Sequence, residues 1–169
     1  MIILGIDPGI ATMGFGVIEY VGNKFNVIDY GAVTTTPDMN IIHRLERIYK
    51  GVDLLIKNYN VEEVAIEELF FNKNVKTAIT VAQARGVAML ACGHNNASVY
   101  EYTPLQVKQG VVGYGRADKN QVQQMIKSIL NLEKVPKPDD VADALAIAVC
   151  HCHSNKLEKT LKNIGGRYV

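Results

Sequence analysis

The sequence predicts an α/β domain in which a five-stranded mixed sheet opens as an antiparallel meander, continues with parallel strands and carries helices on both faces. Two observations point to this class. Three strand-like apolar runs lie within the first 34 residues, separated only by short polar joins. Beyond them, segments of helical period alternate with two further short strands. At 169 residues and 48% hydrophobic content, the chain can bury one ordinary core and is too short for two comfortable ones.

Ile2 to Asp7, Phe15 to Tyr20 and Phe25 to Thr34 read as strands, and the joins "DPGIATMG" and "VGNK" are short enough for consecutive antiparallel pairing. Thr36, Pro37 and Asp38 then announce a helix whose apolar positions Ile41, Leu45, Ile48, Val52 and Leu55 recur at three or four residues. "VAIE" follows as a short buried strand ending at Glu67. The loop "ELFFNKN" leads to a long helix over 75–94, then a fifth strand over 98–102 and a short helix after Pro104. Behind the glycine-flexed segment "GYGRADKNQ", Asp118 and Gln121 stand as a capping pair for another helix. Pro136 and Pro138 stop that element, and Asp139 is expected to cap a last, very apolar helix ending near His153. From Ser154 on, four basic residues, two adjacent glycines and little periodicity predict a loosely held basic tail over 154–169. Residues 1–153 then form the single domain.

The net charge of +1 conceals an asymmetry. Residues 1–103 carry 8 basic and 11 acidic side chains, whereas residues 104–169 carry 10 and 6. A basic half suits a polyanion-facing surface, although surplus lysines also decorate solvated faces, so the motifs must decide. No charged leader, cleavage site or apolar run of about 18 residues appears, which predicts neither a signal peptide nor a membrane span and places the protein in the cytoplasm. Cys92, Cys150 and Cys152 form no even framework and fit reduced thiols. Grouping them with His94, His151 and His153 as a zinc site fails on spacing, because four consecutive helical residues point to different sides. Buried thiols and a helix-terminal His pair are the expectation.

The acids are more informative. The first and fourth strands end in Asp7 and Glu67, and neighbouring parallel strands would deliver both to one edge. The last helix adds "PDDVADALAIA", where Asp140 and Asp143, three apart, share a face of Val, Ala, Leu and Ile. Each acid alone has an ordinary role as a turn residue, an exposed acid or a helix-dipole partner. Together, like charges on apolar elements are unfavourable unless a cation neutralises them. Hard oxygen donors favour Mg²⁺ or Mn²⁺ over zinc, and four carboxylates suffice for two ions about 4 Å apart.

"LGIDPG" with "GFGVIEY", "AIEELFFNKN", "AQARGVA", "QVKQGVVGYGRADKNQVQ" and "ADALAIAVCHCH" resemble, in order from Ile3 to His153, the RuvC family of bacterial Holliday-junction resolvases. The resemblance implies a ribonuclease-H-like fold and a homodimeric, Mg²⁺-dependent endonuclease that partners the RuvA and RuvB branch-migration proteins. It carries the catalytic, metal-binding acids onto Asp7, Glu67, Asp140 and Asp143, the aromatic three residues beyond the glutamate onto Phe70, and DNA-contacting lysines onto Lys108 and Lys119. Lys73 and Arg116, in the neighbouring loops, are further basic candidates for DNA contact. Phe70 suits stacking on an unpaired base and Phe71 suits packing, though core packing also explains Phe70. The apolar seam around Ala78, Val81, Ala82 and Arg85 suits a dimer interface or packing onto the sheet.

Two rivals share parts of this pattern. "GIDPG" also resembles the phosphate loop of actin-like, sugar-kinase and chaperone ATPases, whose chains need a second lobe. A ribosomal-RNA-processing nuclease of the same fold would share the acids but not "FFNKN" and "GYGRADKNQ".

Overall fold

The computed structural model describes residues 1–69 and 75–165, with side chains described over 1–69 and 78–155. The strands are β1 (Ile2–Asp7), β2 (Thr12–Val21), β3 (Lys24–Thr34), β4 (Glu63–Glu67) and β5 (Ser98–Tyr102). The helices are α1 (Ile41–Tyr59), α2 (Val75–His94), α3 (Pro104–Val112), α4 (Lys119–Ile129) and α5 (Asp139–Gly165). The sheet runs β3-β2-β1-β4-β5, antiparallel through the meander and parallel from β1 through β4 to β5.

Strand alternation sorts the core into two layers. Leu4, Ile6, Val64 and Ile66 turn to one face, where they meet Ile48, Val52 and Ile56 of α1 and Ala84, Ala88 and Ala91 of α2. Ile3, Ile18 and Ala65 turn to the other, against Leu145 and Val149 of α5, Val107 of α3 and Val122 of α4. Helices therefore cover both faces, as the sequence predicts.

Three boundaries differ from the expectation. Asn40, not the Thr36-Pro37-Asp38 segment, caps α1 by accepting from the His43 amide, and Ile56 rather than Leu55 completes the buried stripe. The last helix continues past His153 to Gly165, since no glycine or proline interrupts 139–164 and "KLEKTLK" is a good helix former. Asp139 lies inside the first turn of α5 and its carboxylate takes up lysines, so it is not the cap. The Asp118–Gln121 capping box at α4 forms as expected.

The extension of α5 makes His151 and His153 mid-helix residues, contrary to the expected helix-terminal pair. His151 is buried and joins a polar network: its Nδ1 lies 2.7 Å from Tyr102 Oη and its Nε2 2.6 Å from Glu63 Oε2, which also accepts from Asn155 at 2.7 Å. These bonds tie α5 to β4 and β5. Cys92, Cys150 and Cys152 are buried and unbridged, and burial pushes all three thiols up, Cys92 and Cys150 to about 11 and Cys152 to about 12.

Candidate active site

Register places the first two acids. Ile6 of β1 pairs with Ile66 of β4 in a parallel ladder, so Asp7 and Glu67 end adjacent strands side by side. Both occupy the alternate positions to Ile6 and Ile66 and therefore face α5. The turn after Asp7 is held by Thr35, whose hydroxyl donates to the Ile10 carbonyl at 2.5 Å and accepts from Arg44 Nε at 2.8 Å.

The last helix reaches this edge because the sheet beneath it lacks side chains. A methyl group at Gly14 would overlap the main-chain carbonyl of Asp140, and one at Gly5 would overlap that of Ala144. Close approach of α5 to β1 and β2 thus depends on these two glycines, and it carries Asp140 and Asp143 to the strand ends that bear Asp7 and Glu67.

Electrostatics confirm the proximity. The Asp7 carboxyl is pushed up to about 8, first by burial and then by the charges of Glu67, Asp143 and Asp140, with Lys119 opposing. Glu67 is pushed up to about 7 by burial and Asp143, again against Lys119. Burial also raises Asp143, although Lys119 Nζ donates to it at 2.9 Å. Burial alone would lower Lys119, but its bond and charge interactions with Asp143 and Asp139 outweigh this and hold the ammonium above its ordinary value. Asp139, 3.5 Å from Lys119 and 2.6 Å from Lys137, is held low by the Lys137 hydrogen bond, which separates it from the strained set. Asp7, Glu67, Asp139 and Asp143 thus all interact with the one Lys119 charge, while Asp140 acts on Asp7 and Asp143.

A cleft of about 270 Å³ brings Glu67 and Asp143 together with Lys108 and Lys119, against a wall that includes Val107, Val122 and Ile147. Arg116 is exposed in the turn between α3 and α4 and does not line this cleft. Phe70, Phe71 and Lys73 lie outside the described residues. In the expected seam, Ala78, Val81 and Ala82 are half-buried, while Arg85 turns inward to Glu67 and Glu101. Arg85 and Thr35 are contributors that sequence reasoning missed as supports of the site, because each acts through a contact remote in sequence. Among the described residues, no three Asp, Glu, His or Cys side chains converge closely enough to hold an ion as they stand, and Lys119 occupies the position between Asp139 and Asp143. The donor chemistry nevertheless fits a hard divalent cation, since all four candidates are carboxylates and two are pushed up by burial and mutual repulsion that such a cation would relieve.

The chain is similar to known proteins over most of its length. The family model described as crossover junction endodeoxyribonuclease RuvC matches residues 3–151. A Clostridioides difficile (strain 630) protein with that description is 77% identical over 169 residues, spanning 100% of both chains. The Thermus thermophilus RuvC structure superposes with a TM-score of 0.87 at 36% identity, covering 94% of this chain and 97% of that one. The T. thermophilus RuvC in complex with Holliday junction substrate gives a TM-score of 0.85 at 34% identity, covering 93% and 96%. This chain belongs to the RuvC family of crossover junction endodeoxyribonucleases.

Proposed function

We propose that this protein resolves four-way (Holliday) DNA junctions in recombination and repair, by paired symmetric nicks made through metal-assisted phosphodiester hydrolysis. The observation that carries the reading is the meeting of Asp7 and Glu67, from adjacent parallel strand ends, with Asp140 and Asp143 of α5 beside a cleft that also holds Lys108 and Lys119. The proposed nuclease domain is residues 1–153, from which α5 continues to Gly165.

Asp7, Glu67, Asp140 and Asp143 would hold up to two Mg²⁺ ions per subunit, with Mn²⁺ as a substitute. The chemistry such ions would supply is a lowered pKa for the attacking water and relief of the charge on the leaving 3′ oxygen. Asp7 would be the central member of this ligand set, since it interacts electrostatically with all three other acids. Lys119 and Lys108 face the same cleft and offset charge that builds on the phosphate. Arg116 and Lys73 would contact DNA outside it, and Phe70 would stack on a base exposed at the opened junction.

A homodimer matches the two-fold symmetry of an open junction. Its support is an apolar surface that α1 and α2 leave uncovered: Ile42, Ile79 and Leu90 are each more than half exposed, and Ile42, Leu45, Tyr49, Val87 and Leu90 line a groove of about 300 Å³. RuvA and RuvB are the proposed partners in branch migration. Among the described residues no helix is long and apolar enough to cross a membrane, and the proposed location is the cytoplasm.

The test is a panel of mobile four-way junction, linear duplex and stem-loop RNA, each with Mg²⁺ or Ca²⁺. Junction cutting with Mg²⁺, and binding with little cutting with Ca²⁺, is the expected result. Preferential cutting of the RNA would overturn it.

A further inference from the structure

Arg85 leaves the core face of α2 and reaches the end of β4. Its Nε donates to the main-chain carbonyl of Glu67 at 3.1 Å, and its guanidinium pairs with the Glu101 carboxylate on β5. The next amide, that of Glu68, donates to the Tyr102 carbonyl at 2.9 Å. The peptide group that follows Glu67 is therefore held from both sides, by a side chain at its oxygen and by the β5 backbone at its nitrogen.

This arrangement goes beyond holding a strand end. Glu67 is the last residue of β4, where the ladder stops and the chain departs toward α2. Free rotation of that peptide would swing the Glu67 side chain relative to Asp7, and errors near 1 Å cost about 100-fold in reactions that depend on placement. Arg85 is only 15% exposed and its planar fork serves a carbonyl and a carboxylate at once, which a lysine cannot reproduce.

We propose that Arg85, itself fixed by Glu101, is a positioning residue for Glu67: it sets the orientation of the Glu67 peptide and through it the metal-facing carboxylate. The proposal rests on the catalytic reading of Glu67 given above. That reading fails if Glu67→Gln cuts at the wild-type rate, whereas this one is judged on variants that leave Glu67 intact.

Arg85→Ala, Arg85→Lys and Glu101→Gln are compared in single-turnover junction cutting, junction binding, sedimentation and Mg²⁺-induced thermal shift. Arg85→Ala is expected to lower the cutting rate roughly 10- to 100-fold and to raise the Mg²⁺ needed for half of the thermal shift, with junction affinity unchanged and the oligomeric state of the wild type retained. Arg85→Lys should restore little. Glu101→Gln should show a smaller loss of the same kind, and the double variant with Arg85→Ala should be no worse than Arg85→Ala alone. Wild-type cutting in Arg85→Ala overturns the proposal. So does a parallel fall in junction affinity, a change of oligomeric state, rescue by lysine or additivity of the two substitutions.

Discussion

Lys119 places its ammonium nitrogen 2.9 Å from Oδ2 of Asp143, at the point where the first turn of α4 meets α5. This one lysine offsets charge on Asp7, Glu67, Asp139 and Asp143. Lys119 also lines the cleft, so a phosphate drawn toward the acids meets a cation already held in place.

Lys119→Ala should therefore lower the junction cutting rate on the order of 100-fold while weakening binding far less, because the charge it offsets grows as the phosphate reacts. Raising Mg²⁺ should not recover the rate. Recovery would mean that any cation serves and that the placed contact is unimportant.

Asp7→Asn and Glu67→Gln should each abolish cutting and leave junction binding nearly intact, since a neutral isostere loses the metal but repels phosphate less. In the absence of divalent ions, Asp7→Asn should melt higher than wild type, by about 3 °C for each kcal/mol of relieved burial and repulsion. A lower melting temperature would contradict the strained cluster.

The raised carboxyls also set a pH dependence. Asp7 moves from an ordinary 3.8 to about 8 and Glu67 from 4.5 to about 7, so the folded metal-free protein binds these protons more tightly than the unfolded chain. Their contribution to stability is complete below about pH 4 and is lost as pH rises through 7 and 8. Melting temperature without metal should fall from pH 6 to 8, and the increment added by Mg²⁺ should grow over the same interval because binding releases the protons. Calorimetry at four pH values checks both slopes.

Much of this was legible in the sequence, and the reasons are local. The strand over 98–102, the helix over 75–94 and the Asp118–Gln121 box depend on residues within a few positions of one another, and each lies where the pattern puts it. Asp7 and Glu67 were visible because an apolar run ending in an acid is unusual. What escaped was nonlocal or cooperative. Asn40 outcompetes Thr36 and Asp38 just before it, Asp139 is drawn off by Lys137 and Lys119, and Arg85 looks like a seam residue until β4 and β5 stand beside it.

Gly14→Ala tests the close approach of α5. Overlap with the Asp140 carbonyl should push the helix outward, destabilise by about 1 to 3 kcal/mol and reduce cutting through the displaced acids. Gly93→Ala, where a methyl group meets nothing within 4 Å, should be neutral or stabilise by up to about 1 kcal/mol. Thermal melts of the two variants should diverge in sign or clearly in size, and equal effects would contradict the packing argument.

The most direct test of the central claim uses a cruciform extruded on a supercoiled plasmid, cut by the wild-type protein with Mg²⁺. A single nick releases the supercoiling and destroys the substrate, so two symmetric cuts within one binding event leave linear plasmid with ligatable ends. The account predicts linear product from the wild type and none from Glu67→Gln, whereas predominantly nicked circles, or linear product from Glu67→Gln, would contradict it.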